Sequence, residues 1–476
     1  MKTKNLSVLA AIALVFALVF TTCSNGSTGG GRPSNSGSTV ARFDLTGAKA
    51  VFATGSGGQT STSGRAVARA ATENGLFKLL DNDSVVSVFS RTQDMAWICS
   101  MRGSPAETGR KDLYIQFGHS WTYKTDDGES VRIDRLIHVR EDGTVVNVFD
   151  DTYYYYTLSD LADFDRKGNL YFASAESSTS GSTIYKYDPV TGKKETLFSS
   201  DGDFDKPFPS YDGSFLLVDE WLRRSDFNEL FTKLIPCDNP GQAFDISTDV
   251  FSSFAVSRTK REVYLSSKSS GSFNYDSGLC KLSSVNGGIS KDDWQLTTLI
   301  ENVGSNVNEL YIAPDNSVWG YGWNDSAGGL VRLIDRNEQP ANSFSIVNIG
   351  SFYDVKLSAS HIYFVSLVND GIGFVPRKIS RFSYDNPGNV ENLFDKSDFK
   401  GRDKNDIHVG DYYFIAGDFL YFNGFEGGTW RRDEASGGYS YQYHGDNPFI
   451  AKINLTTFEY TEITRDEQAC TAIVGW

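Results

Sequence analysis

Three groups of side chains in this chain have types and spacings that could do chemistry. The first is aromatic. Trp121, Tyr123, Trp221, Tyr275, Trp323, Trp430, Tyr441 and Tyr443 fall in or beside the longer polar connections between short apolar runs. Large rings with a polar handle supply rigid contact area for a sugar ring or a partner surface. Each could equally pack under its own loop, and the sequence leaves both readings open. The second group is acidic. Asp201, Asp203 and Asp205 alternate in DGDFD, with Asp212 at the twelfth position, like the opening of a calcium loop. Alternate carboxylates can converge on a hard cation. Lys206 stands where such a loop needs glycine, and Pro207 and Pro209 break its course, so an acidic connection between strands is the competing reading. The third group is sparse. His119, His138, His361, His408 and His444 form no HxH or HxxxH pair, and Cys99, Cys237, Cys280 and Cys470 form no CxxC pair. No phosphate loop, nucleophile elbow or dinucleotide fingerprint is present. Catalysis is not indicated, and no cofactor is expected beyond the calcium candidate.

The elements that must position these groups are strands. The chain is rich in aromatics (33 Phe, 24 Tyr, 8 Trp) and holds 3 Met. Aromatic and β-branched residues suit a pleated surface. One phrase recurs: LFKLLDNDSVVSVFS from Leu76, LIHVREDGTVVNVFD from Leu136 and IYKYDPVTGKKETLFS from Ile184. A unit repeating at this scale signals stacked repeats. Leu158 to Ser200 serves as the template: four short strands, with tight turns at DRKG and DPVTG. A local four-stranded antiparallel meander, repeated, is the blade of a β-propeller.

Seven such units can be followed from Met95 to Ile463, the one near Pro207 being the poorest. Two fragments remain, Ala48 to Ser90 and Ala469 to Trp476. Together they make an eighth blade shared by both chain ends, which removes exposed strand edges. The expected fold is therefore an all-β propeller of eight four-stranded blades, with seven as the alternative if the Pro207 unit is an insertion. DFDRKGNLYFAS followed by IYKYDPVTGK resembles the strand–turn–strand motif of the broad NHL/TolB/YVTN-type propellers. That resemblance implies a blade and not an activity. The tight turns and the long connections alternate, so a propeller would carry its longer loops on one face. Binding residues concentrate on loops held by a rigid scaffold.

The first residues read as an address. Lys2 and Lys4 precede an apolar stretch from Leu6 to Phe20, then Thr21-Thr22-Cys23. A basic start and a short apolar core form an export signal. The cysteine after it resembles the lipobox of bacterial lipoproteins, which implies a diacylated Cys23. Phe20 and Thr22 depart from the usual residues there, a looseness that resembles spirochaete-type lipoproteins; an ordinary cleaved signal with an incidental Cys is the alternative. Ser24 to Thr39 is Gly/Ser-rich, as a flexible tether would be. The expected organisation is a signal over residues 1–22, a lipidated Cys23 and tether to residue 46, and one propeller over 47–476.

The formal net charge of −15 repels phosphate backbones and disfavours nucleic-acid partners. These readings lead to an expectation: a non-catalytic, lipid-anchored propeller of the bacterial envelope that binds a protein or glycan through its aromatic loops, in contact with the membrane only through the anchor. The rival expectation is a polysaccharide lyase or hydrolase with its site at the central channel. Ligand, membrane leaflet and oligomeric state are not legible in the sequence. Cys23→Ser is expected to abolish incorporation of labelled palmitate in growing cells and to move the protein from the membrane to the soluble fraction.

Overall fold

A computed structural model describes residues 43–54, 75–90, 96, 98–124, 128, 130–150, 162–175, 181–223, 228–247, 251–268, 277–303, 306–323, 328–341, 346–348, 351–369, 374–395, 407–426, 428–432, 441–445, 448–464 and 470–476. The strands form eight antiparallel blades arranged as a ring. Blade 1 joins the two chain ends: Cys470–Gly475 is its innermost strand, followed by Ala48–Thr54, Gly75–Leu80 and Val85–Ser90. The innermost strands of blades 2 to 8 are, in order, Ile98–Gly103, Ala162–Phe164, the pair Asp203–Phe204 and Phe208–Pro209, Phe251–Val256, Asn306–Ile312, Ser351–Leu357 and Ile407–Ala416. Eight is thus the blade count. The unit near Pro207 is a complete blade whose first strand is split in two, each piece pairing with Phe215–Arg223. Two prolines explain the split, because proline cannot donate to the ladder.

The second strands carry a repeated phrase, apolar–aromatic–apolar: Leu113-Tyr114-Ile115, Leu170-Tyr171-Phe172, Val263-Tyr264-Leu265, Val318-Trp319-Gly320, Ile362-Tyr363-Phe364 and Leu420-Tyr421-Phe422. Successive residues of a strand point to opposite faces. In a blade both faces are covered by neighbouring blades, so the alternation serves two cores at once. Leu113 and Ile115 join the core shared with blade 1, while Tyr114 joins the core shared with blade 3. Tyr171 then packs towards blade 4, and Tyr264 towards blade 6. The interior is a ring of inter-blade cores, each built by two blades.

Packing begins earlier than the expected boundary at residue 47. Phe43 is 2% exposed and Leu45 5%. The Phe43 N–H donates to Gly143 O at 2.8 Å, and Lys78 Nζ lies 2.8 Å from Asp44 Oδ2. The first residues of the body therefore staple blade 1 to a turn of blade 2.

Closure of the ring rests on backbone pairing and on one ionic clamp. Val474 pairs with Val51, Ile473 with Phe52 and Ala472 with Ala53. Gly475 lies so close to the Phe414 ring of blade 8 that a Cβ there would sit 2.0 Å from it. Beside this seam, Asp83 of blade 1 pairs with Lys452 of blade 8 and, at 3.4 Å, with Lys49 of its own blade. Lys49 also donates to Tyr421 Oη at 3.1 Å. Burial alone would raise the Asp83 carboxyl, but the hydrogen bond and charge of Lys452, then Lys49, hold it below the usual carboxylate range.

A carboxyl with a depressed folded pKa stabilises the fold above its unfolded pKa of about 4, and that contribution disappears as pH falls through the folded value. Asp83→Ala is expected to cost about 1–3 kcal/mol at neutral pH, because two mostly buried ammonium groups lose their counter-ion. Chemical unfolding followed by circular dichroism should show this loss at pH 7 and a smaller difference from wild type at pH 3.

Candidate functional site

Among the described residues, the innermost strands of blades 2 to 4 build a cluster of charge. Arg102 of blade 2 reaches Asp163 of blade 3 at 3.3 Å, and Lys206, between the two short first strands of blade 4, reaches the same carboxylate at 3.2 Å. Their side chains are 27%, 30% and 25% exposed. Each cation lies over an aromatic ring: the Arg102 guanidinium is 5.1 Å from the Phe164 centroid, and Lys206 Nζ is 5.2 Å from Phe208. Burial acts to raise the Asp163 carboxyl, yet Arg102, Lys206 and the Phe164 N–H, which donates to its Oδ1 at 2.9 Å, together hold it low. The carboxylate therefore stays ionised between two cations. On further innermost strands, Tyr311 donates to Glu309 in blade 6, and Lys356 of blade 7 lies 5.1 Å from the Tyr413 ring. Charges of both signs thus border the axis.

Sequence reasoning missed this cluster. Its signal was an ionic residue inside strands otherwise too short or too apolar to carry one, as in ICSMRG and ADF. The three residues are far apart in sequence and meet only because every blade begins at the axis.

Three of the aromatic candidates, Trp121, Tyr123 and Trp221, have described side chains. Trp121 is 4% exposed and belongs to the core between blades 1 and 2. It starts a small hairpin, Trp121–Lys124 with Ser130–Ile133, inserted between the second and third strands of blade 2. The hairpin folds back over the closure blade: Trp121 lies 5.4 Å from Phe89 and 5.5 Å from Phe117, ring to ring. Tyr123, half-buried, meets Phe89 edge-on at 5.4 Å. Trp221 is 39% exposed, and its indole N–H donates to Asp205 Oδ2 at 2.8 Å.

The backbone of Trp323 ends the second strand of blade 6, opposite Gly328. Trp430 and Tyr443 face each other across a second inserted hairpin, in blade 8, where Tyr441 lies opposite Arg432. The side chains of these four lie outside the described residues, as do Tyr275 and Cys23 altogether.

The acidic stretch is divided by its own strands. Asp203 lies in the first short strand, opposite Trp221. Asp205 accepts the Trp221 indole, and burial, with the charge of Asp203, raises its carboxyl. Asp212 is turned to Ser210 and Ser214 at 2.9 and 2.7 Å. Among the described residues no group of three or more His, Cys, Asp or Glu is arranged to hold a metal ion.

No family model matches the chain, and no curated protein matches it. Solved structures share its shape. A puromycin hydrolase mutant in complex with PGG is 10% identical, with a TM-score of 0.46, over 80% of this chain and 54% of that one. The β-propeller domain of the Trilobed protease from Pyrococcus furiosus is 10% identical, with a TM-score of 0.42, over 78% of this chain and 98% of that one. TolB from Acinetobacter baumannii is 11% identical, with a TM-score of 0.33, over 74% and 80%. The chain spans about half the length of the puromycin hydrolase and of a prolyl endopeptidase that it also resembles. Likeness at this level shows the propeller fold alone.

The expectation of a non-catalytic aromatic platform is corrected. Trp121 is a core residue, and the innermost strands carry the titratable groups Arg102, Asp163 and Lys206. Several of the solved structures that share this shape are peptidases, a likeness that extends to the fold alone. Trp121→Ala is expected to cost about 3–5 kcal/mol of unfolding free energy, the usual loss for a buried large aromatic. Urea denaturation should resolve it; a loss under 1 kcal/mol would return the ring to the surface.

Proposed function

We propose that this propeller engages peptides at its axis and serves peptide hydrolysis, the bond-breaking groups lying outside the axial cluster. The observation that carries this reading is the Arg102–Asp163–Lys206 arrangement on three successive blades. Two cations flanking one ionised carboxylate suit a ligand with both a carboxylate and hydrogen-bond donors. A peptide offers both, through its termini and its backbone. Arg102 presents a planar fork that matches a carboxylate, while Lys206 acts as a point charge. Asp163 would take an ammonium or amide N–H. The rings of Phe164 and Phe208 give the same place an apolar floor. With Cys23 lipidated, as the leader suggests, this would occur at the bacterial envelope.

The test is fluorescence anisotropy with short labelled peptides bearing free termini, on wild type and on Arg102→Gln/Lys206→Gln. Hydrogen bonds to charged groups contribute about 1.5–3 kcal/mol each, so affinity should fall at least about tenfold in the double variant. Raising the salt concentration should weaken the wild type and barely affect the variant. Equal affinity in both proteins, or no binding of any peptide to folded wild type, would sink the reading.

A further inference from the structure

On the face that carries the tight turns, the first connection of blade 2 is unlike its counterparts. It runs over residues 104–112, nine positions, where the first-to-second turns of blades 3 to 8 take two to five. It is a preformed piece rather than a slack loop. The Ser104 N–H donates to Asp112 O at 3.0 Å, and its hydroxyl donates to Arg110 O at 2.6 Å. Between them Ala106–Thr108 makes one 3-10 turn, ended by Gly109 at a φ of 65°, a conformation glycine adopts freely. No residue of that turn is buried, so it stands on the surface.

The connection reaches three other blades. Lys111 Nζ donates to Ala48 O of blade 1 at 3.3 Å, and Arg110 Nη2 to Lys167 O of blade 3 at 2.8 Å. Gly168 leaves room for this, since a Cβ there would sit 2.4 Å from Arg110 Nη2 and 3.0 Å from Thr108 Cγ2. Glu107 Oε1 then lies 3.7 Å from Arg258 Nη1, in the first turn of blade 5. Blades 2 and 5 are separated by two others, and both turns follow innermost strands. Two such turns can meet only over the mouth of the channel. An ion pair this exposed adds little stability. What it records is position.

Beneath this connection lies the axial cluster. Arg102 stands two residues before Ser104, and Asp163 two before the turn that begins at Asp165. At about 3.3 Å per residue, both lie near the tight-turn end of the channel. Asp163 keeps 30% of its side-chain surface exposed, yet burial, acting against Arg102 and Lys206, is the largest single influence on its carboxyl. Water reaches this group while protein surrounds it, as on the wall of a narrow channel.

We propose that the axial channel is a blind well: the 104–112 connection closes its tight-turn mouth, and a peptide enters end-first from the opposite face. That is the face where the second-to-third connections emerge, among them the inserted hairpins of blades 2 and 8. The inference rests on the reading of the axis as a peptide site and adds a direction to it. The chain end that arrives first meets Arg102, Asp163 and Lys206, and a segment flanked by folded protein on both sides is excluded.

Two experiments on the full chain test this, and they fail separately. With Glu107→Cys and Arg258→Cys, a bis-maleimide as long as the two replaced side chains should join residues 107 and 258, identified by peptide mass mapping. Absence of that cross-link, when each cysteine reacts with a simple maleimide, overturns the closure whatever the axis binds. Association kinetics of a short labelled peptide with free ends should then be equal in cross-linked and uncross-linked protein, and the same peptide with a globular protein fused to each end should not bind. A fall of about tenfold or more on cross-linking, large for association rates at one site, would make the tight-turn mouth the entrance and overturn the proposal. Binding of the doubly blocked peptide would overturn end-first entry. No binding of the free-ended peptide to uncross-linked protein overturns the peptide reading and the entry route with it, while the cross-link still decides the closure.

Discussion

The structure depends on one constraint: a blade buried on both faces cannot end the molecule. Every second strand is apolar on both sides, so each blade requires a neighbour on each side, and only a closed ring provides one. The pairing of Cys470–Gly475 with Ala48–Thr54 is where that requirement is met. Backbone bonds set its register, and side chains reinforce it from both flanks. Blade 8 contributes Lys452 to Asp83 and the Phe414 ring to Gly475. Blade 2 contributes the folded-back hairpin with Trp121, Val131 and Ile133, all in the core shared with blade 1. Phe43 and Trp476, from the two ends of the described body, pack into that same core. The closure is thus held at once by backbone pairing, an ionic clamp and a shared core.

Charge is distributed by a second rule, that ionised groups need either water or a full set of partners. At the axis, Arg102, Asp163 and Lys206 keep a quarter to a third of their side-chain surface exposed, and they offset one another through ion pairs. Between blades 2 and 3 the imidazole is sealed off, and burial pushes it below its usual range against the pull of Asp112. The axial side chains thus keep some contact with water, whereas the His138 ring has none and relies on Asp112 and Tyr187.

Much of this was legible in the sequence, for a physical reason. Turn chemistry and period-two alternation are local, so DRKG, DPVTG and the recurring apolar runs reveal blades without tertiary information. The shared blade was legible too, because two fragments with complementary strand counts stand at opposite ends. Three things were not. Trp121 sits in a polar-looking stretch, HSWTYKTDD, yet it is buried, because the hairpin containing it folds onto blade 1; no local pattern specifies that docking. Phe43 looks like the end of a Gly/Ser-rich tether and is a core residue through contact with a turn a hundred positions later. His138 counts as one of five scattered histidines until the ring brings Asp112, Tyr114 and Tyr187 around it.

The axial cluster and the closure are also mechanically adjacent. Met101 belongs to the core between blades 1 and 2, Arg102 points to Asp163 across the next interface, and Gly103 lies against the closing strand. A Cβ at Gly103 would meet Val474 at 2.9 Å and the Trp476 indole at 3.2 Å. One short strand therefore carries, in consecutive positions, a core contact, an axial charge and the seat for the last strand. Interiors this closely packed shift as units rather than side chain by side chain. Whatever draws Arg102 along its strand also moves the surface on which the C-terminal strand rests, so the axial charge and the integrity of the ring depend on the same few residues.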